Sequence, residues 1–397
     1  MTNSHANDGW AYLDNNATTR MDGRVVEAML PFFREHFANP SSMHGLSSVP
    51  AEAIRVARGQ VMWLLGANRE SEIIFTSGGT EANNAAIFSA LEIKKDRNEI
   101  VTSAVEHPAI LAACAHLERI GRARVHRIPV NGNGVLDLEA YRQALSERTA
   151  LASVQWANNE TGGVHPVELL ALIAHENGAL FHTDAVQAAG KLAINLKTTE
   201  IDLLSVSAHK FHGPKGIGAL YLRHGVGFAP LVHGGRQERG RRAGTENTAA
   251  IVGFGIAAQL AGLSLCEDMQ RIRSLRDSLE QEILHLVPSA ISIAGGTRRL
   301  SNTANIAFAD VEADSLLLML DRALIAASSG SACTSGSMNP SHVLCAMKVP
   351  FSHLRGSVRF SLSRENSDRD VERVLEVLPQ AVKELQTHSA SMEAACD

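Results

Sequence analysis

The feature that most constrains this chain is the alternation of short apolar runs with helical stretches between about residues 70 and 225. The runs are EIIFTS (72–77), EIVTSAV (99–105), ARVHRIPV (123–130), ALASVQWA (150–157), GALFHTDA (178–185) and IDLLSVSA (201–208). Several are separated by segments with helical spacing, such as LDLEAYRQALSE and PVELLALIAHENG. Short strands buried on both faces and spaced by helices predict a largely parallel α/β sheet. After residue 265 the pattern changes. A helix over 267–287 sets Met269, Ile272, Leu275, Leu279 and Ile283 on one stripe and stops at Pro288. A strand NTANIAFAD, a helix SLLLMLDRA, the Ser/Gly-rich loop SSGSACTSGS, a strand GSVRFSLS and a last helix from about Asp368 follow. This second region reads as a separate α+β domain.

The 397 residues carry 37 Lys+Arg against 42 Asp+Glu, a net charge of −5, so no global basic field draws the chain to nucleic acid or anionic lipid. The basic run Arg236–Arg242 needs a local explanation. Residues 249–265 (AAIVGFGIAAQLAGLSL) are uncharged, but they are short for a membrane span and rich in Ala and Gly, which predicts a buried helix. The five cysteines (114, 266, 333, 345 and 396) form no CxxC pair and no disulfide framework, which suits a reducing compartment. The start, MTNSHANDGW, lacks the basic and apolar regions of a signal peptide, so a cytoplasmic location is expected.

Sheets of this kind bind ligands at the carboxyl ends of their strands. Five such ends bear polar or Gly-rich groups. SGGTEANN after the first run offers small residues and a helix N-terminus, suited to an anion such as phosphate, or simply a capped turn. Ser-Ala-His-Lys (207–210) ends in a lysine able to form a Schiff base with an aldehyde cofactor, or in a surface lysine. In HTDAVQ, Asp184 can protonate the ring nitrogen of pyridoxal phosphate and Gln187 can reach its ring oxygen; an Asx turn is the plainer reading. Glu106-His107-Pro108 can place an imidazole over a ring or form a turn into a helix, and Asn158-Asn159-Glu160 ends a further strand. Five ends suited to one cofactor outweigh any single one.

SGGTEANN, VEHPAIL, WANNETG, FHTDAVQ, SAHKFHGPKGIGALYL, GGRQERGRRAGTEN, NTANIAF, SSGSACTSGS and VRFSLSR occur in the order found in the pyridoxal phosphate-dependent cysteine desulfurases of the NifS/IscS type. The chain resembles that family from YLDNNATT (12–19) to about Arg364, and the RRAGTEN and ACTSGS wording looks closest to the NifS branch. The resemblance implies an α/β, fold-type I aminotransferase-like architecture and a homodimer. It implies a large cofactor-binding domain (17–262) with a mostly parallel seven-stranded sheet. Residues 1–16 and 263–397 would form a smaller α+β domain carrying the catalytic loop 328–337.

Carried over position by position, it implies that Lys210 holds pyridoxal phosphate, Asp184 pairs with the ring nitrogen and Gln187 meets the ring oxygen. His107 stacks on the ring as an acid/base candidate. Gly79, Thr80, Ser207 and His209 hold the phosphate, joined by Thr245 from the partner subunit. Asn159, also at the cofactor, and Arg359 bind the substrate carboxylate. Cys333 is the nucleophile. L-cysteine would give L-alanine and a persulfide on Cys333, whose sulfur passes to an iron–sulfur scaffold or another acceptor, including in nitrogenase maturation. A transient iron–sulfur contact through Cys333 belongs to the same picture. No Lys or Arg flanks Cys333, so its thiolate must be favoured by the site.

Three positions depart from the family wording. Gly79 stands where relatives often have Ala or Cys, Cys345 where they usually have Arg, and Arg355 where they often have His. Arg355 would add a second arginine near the carboxylate site. A selenocysteine lyase or a class V aminotransferase is the nearest competing reading, although an aminotransferase needs no loop thiol. A non-catalytic sulfur carrier and a metal-binding protein are the rivals from other classes.

Overall fold

The computed structural model describes residues 9–329 and 340–396, with side chains to residue 388. Its strands are β1 (Ala11–Tyr12), β2 (Ile73–Thr76), β3 (Glu99–Ser103), β4 (Arg124–Ile128), β5 (Thr149–Ser153), β6 (Leu180–Asp184), β7 (Leu203–Ser207), β8 (Gly218–Leu222), β9 (Ala290–Ser292), β10 (Thr303–Phe308), β11 (Ile325–Ala326), β12 (Ser328–Ser329) and β13 (Ser357–Ser361).

Seven strands form one sheet in the order β2-β8-β7-β6-β5-β3-β4. Every neighbouring pair is parallel except those of β8, which runs antiparallel to β2 and β7. The expected mostly parallel seven-stranded α/β sheet is therefore present, and each of the six apolar runs contributes a strand. Successive side chains divide between the two faces, as the strand period of two requires. Ile73, Phe75, Val101, Ala152, Phe181, Leu204 and Tyr221 enter one apolar cluster, whereas Ile74, Ile100, Leu151, Leu203 and Leu220 enter another. Helices Gly79–Ile93 and Pro108–Arg119 cover the second face. Each such aliphatic side chain, fully buried, contributes roughly 1.5–3 kcal/mol.

The sequence pattern suggested two helices around residue 265, and the structure has one, Thr248–Leu286. Its N-cap is Asn247, whose side chain accepts from Ala250 N–H. The first part packs on the large core through Ile251, Phe254, Ala257 and Ala258. The second part packs on a separate core through Ile272, Leu275, Leu279 and Ile283. The change of composition at 265 thus marks a change of surroundings along an unbroken helix. By length and composition this helix could cross a membrane, but the Ala/Gly-rich half lies inside the protein. Helix Ser48–Leu64 crosses it closely, because a Cβ at Gly255 would come within 2.6 Å of Ala57 Cα.

The second core also takes Ile306, Phe308, Leu316, Leu320, Val358, Phe360, Val374 and Leu378, around the antiparallel sheet β12-β13-β10-β9. The segment after β1 ties this core to the large sheet. Asp14 bridges to Ser361, and five residues later Thr19 N–H donates to the His209 carbonyl.

Candidate active site

Because β8 opposes its neighbours, the carboxyl ends of β2 and β7 lie at one sheet edge with the start of β8 between them. Gly218 pairs with Thr76 on one side and Ser207 on the other. A Cβ at Gly218 would stand 2.5 Å from the Val206 carbonyl oxygen and 2.8 Å from the Gly78 backbone, so only glycine fits. Gly78 has φ +156°, and Gly79 then opens the helix Gly79–Ile93, aiming unpaired N–H groups outward. A cavity of about 390 Å³ at this edge is lined by Gly78, Gly79, Thr80, Ser207 and His209, together with Ala17, Thr18 and Lys215. The four residues expected around a phosphate therefore face one space. At Gly79 a Cβ would clash with the Val186 side chain at 2.7 Å and rest in ordinary contact with Ser207 Cβ at 3.7 Å.

Asp184 ends β6 with 6% exposure. Its Oδ2 accepts from Asn83 Nδ2 at 2.6 Å and its Oδ1 from Val186 N–H at 2.9 Å, which fixes the carboxylate plane. Lys210 follows β7 on a short 3-10 turn, and its Nζ donates to the carbonyls of Asn16 (2.7 Å) and Ala17 (2.8 Å). Gln187 Nε2 donates to the same Asn16 carbonyl at 2.9 Å. His107 is the N-cap of the helix Pro108–Arg119, and its Nδ1 accepts from Ala109 N–H at 3.1 Å. Burial lowers its pKa; Lys210 and His342 push the same way and Asp184 opposes them. The ring is therefore neutral near pH 7, with its proton on Nε2. His209 is lowered to about 4, by burial first and then by Lys210, Lys215 and Lys191; its Nδ1 lies 3.1 Å from Thr18 Oγ1.

Arg359 projects from β13 with 2% exposure. Its Nη2 donates to Asp14 Oδ1 at 2.6 Å and its Nη1 to the Asn159 carbonyl at 3.0 Å, while the buried Nε has no partner among the described residues. The turn holding Asn159 is set by Asn158, whose Oδ1 accepts from the N–H groups of Glu160 and Thr161. Glu160 Oε2 accepts from Ser341 Oγ at 2.6 Å, and next along the chain His342 Nε2 meets the Glu106 carbonyl at 2.9 Å. The segment at 341–342 is thereby pinned to the strand ends that carry Asn159 and His107.

Cys333, with most of the loop 328–337, lies outside the described residues. Thr245 is exposed on this chain. Arg355 does not join Arg359: it pairs with Glu312 at 3.3 Å, both side chains more than half exposed. Cys345 is exposed on the short helix His342–Ala346. The basic run is largely absorbed by its own chain, Arg242 by Glu81 at 3.0 Å and Arg241 by the Ser71 carbonyl, while Glu238 within it holds Arg58 at 2.7 Å. Sequence reasoning gave no role to Asp14, Asn16, Asn83, Lys191 or His342. Asn16 is the most connected of these, taking both Lys210 and Gln187 on its carbonyl while its side-chain amide donates to Asn159 O and Thr303 Oγ1. The only signal was its place in YLDNNATT.

The aminotransferase class-V family profile matches residues 11–374. A cysteine desulfurase of Gluconacetobacter diazotrophicus is 57% identical over 384 residues, covering 97% of this chain and 96% of the relative. The cysteine desulfurase NifS of Azotobacter vinelandii is 50% identical over 378 residues, covering 95% of this chain and 94% of the relative. Among solved structures, a NifS-like protein superposes with TM-score 0.87 at 37% identity, covering 94% of this chain and 99% of that one. A structure of SspA in complex with cysteine gives TM-score 0.79 at 35% identity, covering 90% and 99%. The chain belongs to the aminotransferase class-V family, on its cysteine desulfurase branch. The resemblance read from the motifs and the fold it implied are both borne out.

Proposed function

We propose that the protein is a pyridoxal phosphate-dependent cysteine desulfurase, acting as a cytoplasmic homodimer. L-cysteine and the enzyme thiol give L-alanine and an enzyme persulfide on Cys333, whose sulfur then passes to an iron–sulfur scaffold or similar acceptor. One observation carries the reading. A glycine-lined cradle, a buried carboxylate at Asp184, a lysine at 210 and a neutral imidazole at 107 converge on one edge of the sheet.

The residues fit the cofactor. The cradle at Gly78–Thr80 has room for an anion beside Ser207 and His209, and among the described residues Asp184 Oδ2 accepts from one neutral donor, Asn83 Nδ2. Among the described residues Asn83 Oδ1 is buried without a partner beside that carboxylate, a polar atom that a bound group can satisfy. When bound there, pyridoxal phosphate supplies an aldehyde and a ring that withdraws electrons from the substrate's α-carbon. Gly79, Thr80, Ser207 and His209 would hold the phosphate, with Thr245 of the partner, and Asp184 would keep the ring nitrogen protonated. Lys210 Nζ moves the α-proton. Arg359 and Asn159 orient the substrate carboxylate, the arginine through its unused Nε. His107 can donate from Nε2. The Cys333 thiolate attacks the substrate sulfur: an S–S bond forms, the C–S bond breaks, its electron pair stays with the carbon skeleton, and protons complete alanine.

The dimer reading is supported by exposed Phe33, Phe37, Leu46, Val49, Val56 and Trp63 between residues 33 and 63. The test of the whole reading is borohydride reduction of the protein loaded with pyridoxal phosphate, followed by peptide mass mapping. The cofactor mass is expected on the peptide containing Lys210, together with alanine release from cysteine, and both are lost in Lys210→Ala. Alanine release that survives in Lys210→Ala, or label on another lysine, overturns the reading.

A further inference from the structure

Lys191 is the one buried lysine in this region to which no role has been given. It is 7% exposed, and its Nζ donates to Gln187 Oε1 at 2.7 Å and to Asn16 Oδ1 at 3.1 Å. Nζ is the donor in both contacts, so each amide facing it presents its oxygen. For Asn16 that orientation is also required from the other side, since its Nδ2 serves Asn159 O and Thr303 Oγ1. For Gln187 the consequence is directional. With Oε1 turned to Lys191, the NH₂ group is forced toward the active site, where it donates to the Asn16 carbonyl that also receives Lys210 Nζ. Two lysines are thus joined by a chain of three hydrogen bonds, Lys191 to Gln187 to the Asn16 carbonyl and back to Lys210.

We infer that Lys191 is a positioning residue that locks the Gln187 amide with its NH₂ facing the cofactor, and so sets how tightly the Lys210 nitrogen holds its proton in the holoenzyme. The inference rests on the pyridoxal phosphate reading above. A donor held against the ring oxygen opposes an added proton at Lys210. The titratable groups around Lys191 are Lys210, Arg359 and the neutral His209; burial first, then the two cations, lower its pKa, so it holds Gln187 Oε1 and Asn16 Oδ1 as an N–H donor. A merely structural lysine would stabilise the fold and leave the cofactor's spectrum alone.

The experiment is a pH titration of the visible absorption band of the holoenzyme in wild type, Lys191→Met, Gln187→Leu and the double variant, with thermal melting in parallel. Lys191→Met is expected to move the spectral midpoint upward by about one unit. Gln187→Leu is expected to move it in the same direction, and the double variant no further than the larger single shift, because the two side chains act as one unit. A lower melting temperature with an unmoved midpoint overturns the inference, as do additive shifts. If Lys191→Met fails to fold, Gln187→Leu alone decides: an unmoved midpoint overturns the inference and an upward shift supports it. A wild-type protein that takes up pyridoxal phosphate without any visible band overturns the cofactor reading itself, and the inference falls with it.

Discussion

Asp14 Oδ1 lies 2.6 Å from Nη2 of Arg359, and the two residues come from opposite ends of the chain. The pair neutralises the guanidinium of a residue that is 2% exposed, while Nε remains without a partner among the described residues. Removing one member of a buried ion pair costs roughly 3–5 kcal/mol, because the other charge stays buried. Asp14→Ala should therefore lower stability by about that amount, read by urea unfolding. Arg359→Lys keeps the charge but loses the fork, and should raise KM for cysteine about tenfold or more with a smaller change in kcat. An unchanged KM would remove Arg359 from the substrate site.

Two glycines at this sheet edge, Gly79 lining the cavity and Gly218 beside it, should respond differently to a methyl group. At Gly218 the obstacles are the Val206 carbonyl at 2.5 Å and the Gly78 backbone at 2.8 Å, which cannot move without disturbing the sheet. At Gly79 the obstacle is a Val186 methyl, which a rotamer change relieves. Gly218→Ala should lose about 3 kcal/mol or more and retain cofactor poorly, whereas Gly79→Ala should lose about 1 kcal/mol and retain it. Equal losses in thermal melts would contradict the packing described for this edge.

Glu106 is fully buried, and burial raises its carboxyl to about 8, with Asp184 adding to the shift against hydrogen bonds from Ser103 Oγ and Gln155 N–H. The native state therefore holds a proton that the unfolded chain releases above the ordinary carboxyl range. Stability from this group is full below that range and falls as pH rises toward 8, by up to about 1.4 kcal/mol per unit. Glu106→Gln cannot ionise, so its stability should decline less between pH 6 and pH 8 than that of wild type. Parallel declines in unfolding experiments would refute a protonated Glu106.

Thr245 is exposed on a single chain, and its proposed role at the phosphate requires a partner. Heterodimers of Lys210→Ala and Thr245→Val chains separate the possibilities. If Thr245 acts across the dimer, one site carries both lesions and the other is intact, so such heterodimers should show about half of wild-type turnover per dimer. If it acts within its own chain, both sites are damaged and turnover stays low.

The sheet was legible because its strands are apolar on both faces; β3, β5 and β7 are buried throughout their lengths. The direction of β8 was not, since hydropathy carries no orientation, and that reversal is what brings the ends of β2 and β7 to a common edge. Helix Ser48–Leu64 escaped notice because Val49, Val56 and Trp63 interrupt its polar face. At the site, Lys210, Asp184 and His107 announce themselves by chemistry at strand ends. Asn16 meets Lys210, Asn83 meets Asp184 and Lys191 meets Gln187, and these partners lie from 4 to 194 positions apart in sequence. Arg355 does not share the site because it lies before β13, at the end of the helix Phe351–Leu354, exposed and paired to Glu312.

The central claim is that sulfur leaves L-cysteine onto one particular thiol. It is tested by adding one equivalent of L-cysteine to the holoenzyme without reductant, alkylating, and mapping the peptides by mass spectrometry. The account predicts one extra sulfur on the Cys333 peptide with an equal amount of alanine, no such label in Cys333→Ser, and unchanged labelling in Cys345→Ser. An extra sulfur found mainly on Cys345, or alanine formed with none of the cysteines modified, would contradict it.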